Sequence, residues 1–261
     1  MVDAGKLRGV RVLVTRPRGQ GEGQCRAIEA LGGIAYHCPM LEIIPTEPPK
    51  PGWWQGYDWL IFVSANAVRF ALEAGLPTAE RFKSAAIGKA TAKALAEAGL
   101  RVDLKAPPPY TSESLLAQEA LRQVSGRCIL IVQGIGGRTE LADTLSARGA
   151  RVDRIELYRR APPRPETVAY LRRLLAQGLD AVSVSSGEGL INLQSAAGER
   201  LGELHALPMI VVSSRLAEEA RRAGFADVIA ASSALDEAVV EALAARFDLK
   251  LRRYDGTDAR G

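Results

Sequence analysis

The chain has 261 residues, of which 47% are hydrophobic, 25% charged and 5% aromatic, and it carries a formal net charge of +4. That length suits one large domain or two of about 100–150 residues each, with a full hydrophobic core either way. No apolar run approaches the ~18 residues of a membrane helix, and scattered basic residues with so few aromatics make a poor nucleic-acid surface, so a membrane span and a nucleic-acid partner are both excluded.

Met1–Gly9 has charges but no apolar core behind them, so no secretory signal is expected. The first predicted strand is Val10–Thr15 (VRVLVT), which ends in Thr15-Arg16-Pro17 and leads into a Gly-rich turn and a helix. Cys38–Gly52 (CPMLEIIPTEPPKPG) is a β-prone run followed by prolines and reads as a semi-rigid linker. Trp59–Val63 is the next strand. Its apolar run stops at Ser64-Ala65-Asn66 and resumes with helical spacing, the pattern of a buried strand feeding a capped helix. Ser84–Gly88 repeats the design, with Gly88 before the helix KATAKALAEAG and Thr91 inside it. After a turn at Tyr110 and a short helix, Cys128–Val132 runs into Gly134-Ile135-Gly136, and Val152–Pro165 (VDRIELYRRAPPRP) is a second β-prone run with prolines. Ala181–Ser185, Met209–Ser213 and Asp227–Ala231 complete the strands, and the polar tail Arg252–Gly261 reads as disordered. Apolar strands alternating with Ala-rich helices predict an α/β protein with parallel sheets covered by helices on both faces.

An internal repeat organises these elements. DWLIFVSANAV from Asp58 aligns with DAVSVSSGEGL from Asp180, placing Ser64 over Ser186 and Asn66 over Glu188. The segment from Ala85 matches that from Met209, with Gly99 over Gly224, and each is followed by a Ser-containing turn and a helix. The segment from Cys128 resembles the one from Val10. The order is therefore third, first, second, third, first, second, and two compact copies result only when the opening segment packs with the far end. This predicts a discontinuous domain of residues 1–38 and 162–261 around a continuous one of residues 48–152. The crossings 39–47 and 153–161 are expected to pair as a two-stranded ladder, and a hinged pair of domains places its ligand in the cleft between them.

In doubly wound sheets the ligand lies beyond the carboxyl ends of the strands. Here those ends carry Arg16, Ser64, Ala65, Asn66, Gly88, Gly134, Ser185, Ser186, Gly187, Ser213 and Ser214. Two uses stay open for them. Ser, Asn and Gly cap helices in any α/β protein, and the same helix starts offer free N–H groups and a dipole suited to carboxylates. Gly134-Ile135-Gly136-Gly137 lacks the spacing of a dinucleotide fingerprint, and no P-loop lysine follows, so no nucleotide cofactor is expected. His37 and His205 stand apart from any carboxylate or cysteine at ligand spacing, so no metal is expected either. Cys25, Cys38 and Cys128 are odd in number and unpaired in spacing, which fits reduced thiols and a cytoplasmic location. Catalytic groups are scarce. Tyr158 lies where the second crossing leaves its domain, placed either to reach the cleft with its hydroxyl or to pack its ring and leave the oxygen in water. Arg16 either pairs a ligand carboxylate or neutralises a strand end.

VLVTRP at Val12–Pro17, FVSANAV at Phe62–Val68, AIGKATAKAL at Ala86–Leu95, TSESL at Thr111–Leu115, and Val152 followed by Leu157-Tyr158 together resemble the uroporphyrinogen-III synthase family in order and spacing, across nearly the whole chain. The resemblance implies two flavodoxin-like α/β domains joined by a two-stranded ladder. It also implies a cofactor-free cyclising lyase that closes hydroxymethylbilane, a linear tetrapyrrole polycarboxylate, to uroporphyrinogen III with inversion of the last ring and loss of water. Under it, Tyr158 matches the tyrosine that helps the hydroxyl leave, and Thr91 a threonine near the same site. A monomer is expected, with substrate handed over from hydroxymethylbilane synthase. The region from Val212 to Ala217 departs from the Gly/Thr-rich version of some relatives, which leaves Ser213 and Ser214 in question as contacts. Two other readings are a non-catalytic hinged sensor for a polyanionic small molecule and a nucleotide-sugar transferase. The latter lacks the carboxylate and basic clusters that a sugar diphosphate needs.

Overall fold

The structure is a computed structural model that describes residues 5–78 and 82–254. In chain order its elements begin with β1 (Arg11–Val14), α1 (Glu22–Ala30), β2 (Ile34–His37), β3 (Glu42–Pro45), β4 (Trp59–Phe62), α2 (Ala65–Glu73), β5 (Lys83–Ala86) and α3 (Lys89–Glu97). They continue with β6 (Leu104–Lys105), α4 (Ser112–Leu116), β7 (Cys128–Gly134), α5 (Glu140–Ala147), β8 (Arg151–Ala161), α6 (Pro165–Gln177) and β9 (Ala181–Val184). The last are α7 (Gly187–Ala197), α8 (Leu201–His205), β10 (Met209–Val211), α9 (Ser214–Arg222), β11 (Val228–Ala230) and α10 (Asp236–Tyr254). The chain divides into two compact units, Met1–Glu42 with Ala161–Gly261, and Ile43–Arg160.

The first unit holds a five-stranded sheet in the order β11-β10-β9-β1-β2, each neighbouring pair parallel. The sheet of the second unit runs β3-β8-β7-β4-β5-β6, parallel from β8 to β6. Setting β4, β5, β6, β7 and β8 over β9, β10, β11, β1 and β2 makes the two orders identical. β3 is added beside β8, where the Thr46 amide donates to the Leu157 carbonyl at 3.1 Å and the Thr46 hydroxyl to the Glu156 carbonyl at 2.7 Å.

Parallel strands covered on both faces need apolar residues on both, and period-2 alternation sorts them. In the second unit Leu60, Phe62, Leu130 and Val132 pack with α2 and α3, while Trp59, Ile61, Ile129 and Ile131 pack with α4 and α5. In the first, Leu13, Val182, Val184, Met209 and Val211 join α6, α7 and α9, whereas Val12, Val14, Ala181 and Ile210 face α1 and α10.

The repeat extends to the strand bottoms. Asp58 accepts the Cys128 amide at 2.8 Å and Arg127 Nη1 at 3.2 Å; its counterpart Asp180 accepts the Arg11 amide at 2.8 Å and Arg11 Nε at 3.1 Å. After the helices, Gly99 (φ 76°) and Gly224 (φ 103°) take the left-handed turn that glycine adopts without a steric penalty.

Some expectations shift. Val63 and Ser185, expected to end strands, lie just beyond them beside the N-caps Ser64 and Ser186, and Ser213 is itself the N-cap of α9. Of the tail expected to be disordered, Arg252–Tyr254 continue α10, while 255–261 lie outside the described residues, as do 1–4 of the opening stretch in which no secretory signal is expected.

Candidate active site

At the carboxyl end of the second unit's sheet, the chain leaves β4 and turns into α2 through Ser64, whose backbone is extended (φ −157°, ψ 163°). Its Oγ accepts the Ala67 amide at 3.0 Å, the ordinary N-cap bond. The same oxygen lies 2.8 Å from the hydroxyl of Tyr158. Ala65 and Asn66 open α2 and are partly buried.

Tyr158 is 7% exposed. Its ring stacks on Phe70 of α2 at 5.3 Å and 17° between planes. The opposite support comes from β7, where the register with β8 shifts between Gln133 and Gly134 so that Gly134 pairs with Tyr158. A Cβ at 134 would lie 2.5 Å from Tyr158 Cε2, so only glycine fits there. The Ile135 amide then closes the junction on the Tyr158 carbonyl at 2.8 Å. Gly134 thus lets the tyrosine ring pack closely against β7. The ring of Tyr158 packs, and its oxygen is hydrogen-bonded to a serine.

Gly88 caps α3 with φ −132° and no side-chain hydrogen bond, and a Cβ there would meet nothing within 4 Å. Glycine is not forced by backbone or space at this position, and the first amides of α3 have no capping side chain competing for them. Thr91 is 3% exposed on the same helix. Beyond it, Thr111 and Ser114 form a reciprocal capping box on α4, and a hydrogen bond from the Thr111 hydroxyl holds the Glu113 carboxyl below its ordinary value.

The first unit repeats the cap geometry. Ser186 (φ −153°, ψ 153°) accepts the Gly189 amide at 3.0 Å, and Ser213 accepts the Leu216 amide at 3.3 Å. Ser185 is partly buried between β9 and that cap. A Cβ at Gly187 would lie 2.8 Å from Glu219 Oε2, so an anion held at Gly187 has a carboxylate for a neighbour. Arg16 is committed within its own unit. Its Nη2 donates to the Ala234 carbonyl at 2.6 Å, and its Nη1 lies 3.4 Å from Asp236 Oδ1 at the start of α10. That arrangement ties α10 to the tip of β1.

Covalent chemistry from Cys25 and Cys38 is disfavoured. Burial pushes the Cys38 thiol up to about 12, and burial with Glu29 and Glu22 nearby pushes Cys25 up to about 11, so neither is a thiolate near neutral pH. Among the described residues no group of three His, Cys, Asp or Glu is placed to hold a metal, and no helix is long and apolar enough to cross a membrane.

A family model described as uroporphyrinogen-III synthase HemD matches residues 25–241. The chain belongs to the uroporphyrinogen-III synthase family. It is 34% identical over 247 residues to the uroporphyrinogen-III synthase of Salmonella typhimurium, covering 89% of this chain and 99% of that one. Against the Escherichia coli enzyme it is 34% identical over 245 residues, with the same coverage. Among solved structures, a mutant uroporphyrinogen III synthase from Thermus thermophilus superposes with a TM-score of 0.56 at 24% identity, over 93% of this chain and 100% of that one. The uroporphyrinogen-III synthetase of Helicobacter pylori gives 0.55 at 15% identity, over 93% and 99%. At those identities the structural likeness speaks for the α/β fold, and the sequence relatives carry the family.

Phe70 and Asp236 escaped the sequence reading. Phe70 looks like any apolar residue on the inner face of an amphipathic helix, and Asp236 like any acidic residue in a first helical turn.

Proposed function

We propose that the chain closes hydroxymethylbilane to uroporphyrinogen III, inverting the terminal pyrrole ring and releasing water, with no cofactor. The observation that carries this is the family match, which spans β4, α2, β7 and β8 and so includes the Ser64, Gly134 and Tyr158 constellation. The chemistry is chiefly geometric. Loss of the terminal hydroxyl leaves a reactive azafulvene, which closes at the wrong carbon when free in water. Holding both ends of the chain in one orientation makes closure an oriented intramolecular step, an effect worth up to ~7–11 kcal/mol in favourable systems.

In this reading the substrate carboxylates are held by main-chain N–H groups at Ser64, Ala65, Asn66 and Gly88 and, from the first unit, at Ser185, Ser186, Gly187 and Ser213. Each helix start contributes about 0.3–1 kcal/mol per carboxylate. The absence of a capping side chain at Gly88 supports its amides as donors. Thr91 belongs to the same helix start. Tyr158 supplies a proton or hydrogen bond to the departing hydroxyl, as an aid rather than as a strong acid. Both units are taken as flavodoxin-like domains hinged at their two crossings, a reading supported by the shared strand order. The enzyme is placed in the cytoplasm as a monomer that receives its unstable substrate from hydroxymethylbilane synthase. No observation favours the non-catalytic binding protein.

The test is to supply freshly made hydroxymethylbilane and resolve the oxidised products by isomer. Predominance of type III is the expected outcome. Type I alone, formed at the uncatalysed rate, would end the proposal.

A further inference from the structure

We infer that Ser64 is a positioning residue for Tyr158, its hydroxyl donating to the tyrosine oxygen so that the phenolic proton is kept for the substrate's departing hydroxyl. The inference rests on the proposed role of Tyr158. A serine hydroxyl has one proton and two acceptor positions. One acceptor position of Ser64 is filled by the Ala67 amide at 3.0 Å, and the tyrosine hydroxyl stands 2.8 Å away. Two directions of bonding are open to the pair. If tyrosine donates, its proton is spent on Ser64, and the proton left over belongs to an alcohol, a weaker acid than a phenol. If serine donates, the chain runs from the Ala67 amide through Ser64 to Tyr158 and ends in one transferable proton on the better acid. Each hydrogen bond polarises the next, and a helix amide at the head of the chain favours the second direction.

The surroundings leave little else for Ser64 to fix. The ring of Tyr158 is held between Phe70 and Gly134, so the remaining freedom is rotation of the phenolic O–H. The counterpart Ser186 shows what capping alone looks like: it makes the same bond to Gly189, and among the described residues no tyrosine shares it. In the reaction, the C–O bond breaks with its electron pair on oxygen, which takes the tyrosine proton and leaves as water. Ser64 then holds the phenolate through its O–H. The proton count closes when the ring carbon that forms the new bond gives up its hydrogen to the tyrosine.

Ser64→Gly separates this role from capping, because glycine is nearly as good an N-cap as serine and Gly88 already serves in that position on α3. It also keeps the amide at position 64. Initial rates of type III formation would be measured against substrate concentration for Ser64→Gly, Ser64→Thr, Tyr158→Phe and the Ser64→Gly/Tyr158→Phe double variant. Ser64→Gly is expected to lower kcat about tenfold with KM within about twofold of the starting protein, and Ser64→Thr to recover most of that loss. In the Tyr158→Phe background the Gly substitution is expected to change kcat by less than about twofold, because the partner it acts through is gone. A kcat for Ser64→Gly within about twofold of the starting protein, or an equal loss in both backgrounds, overturns the inference. If the starting protein forms type III and Tyr158→Phe is slow while Ser64→Gly is not, only the role of Ser64 fails. A starting protein that forms type I alone removes the function and this role together.

Discussion

At position 134 a hydrogen stands where any other residue would put a carbon 2.5 Å from Tyr158 Cε2. The ring has no way to retreat without loosening its stack on Phe70 or its 2.8 Å bond to Ser64. Gly134→Ala is therefore expected to destabilise the protein by about 1–3 kcal/mol, as overpacking does, and to slow turnover at the same time. Urea unfolding and the product-isomer assay on one preparation check both. A variant with unchanged stability and rate would show that the ring is not confined. The same contrast marks what a sequence can show at this scale. Ser64 and Ser186 are legible because an N-cap is written within four residues, Ser64 with Ala67 and Ser186 with Gly189. The partner that gives Ser64 its second bond lies 94 positions away, and the Ala234 carbonyl that occupies Arg16 lies 218 positions away. No local pattern encodes either bond.

Between neighbouring strands, one carboxylate in each unit fastens the bottom of the sheet. Asp58 joins β4 to β7 through the Cys128 amide, and Asp180 joins β9 to β1 through the Arg11 amide, the same pair of strands in the repeat. Replacing either with alanine leaves a strand-end N–H without its acceptor and removes a charged hydrogen bond from the flanking arginine. Asp58→Ala and Asp180→Ala are each expected to lower stability by about 1–3 kcal/mol. The midpoint of urea unfolding should fall with little change in slope, and the product isomer should stay type III, since both carboxylates lie at the opposite end of the strands from the caps. Strands with buried faces are the legible ones: all four residues of β4 and of β9 are buried, and both stand out as apolar runs. β8 reads as a β-prone crossing because charges fill it: Arg151, Asp153, Arg154, Glu156, Arg159 and Arg160 leave only Leu157 and Tyr158 buried. β6 has only two residues, and β2 is a sheet edge with Ile34 exposed, so neither carries enough pattern to be seen.

The permuted order of the repeat has a consequence for the chain as a whole. Every residue of the two hydrophobic clusters around β4 and β7 lies within 43–160, so that segment carries its own core. The other unit is different in kind, because β1 stands between β9 and β2 in its sheet and is supplied from the opening segment. Leu7, Val12, Leu13, Val14 and Ile28, all 0% exposed, enter the two clusters of that unit from residues 1–42. At about 1.5–3 kcal/mol for each fully buried side chain, those five account for roughly 10 kcal/mol of upper-bound burial energy, comparable to the whole stability of a domain. A fragment of residues 43–160 is therefore expected to unfold cooperatively in urea on its own. A fragment of residues 161–261 is expected to show no cooperative transition until a peptide of residues 1–42 is added, whereupon far-UV circular dichroism and a sigmoidal melt return together. A cooperative melt from 161–261 alone would mean that the sheet closes without β1 and β2, and that the repeat is a likeness of sequence without being the unit of folding.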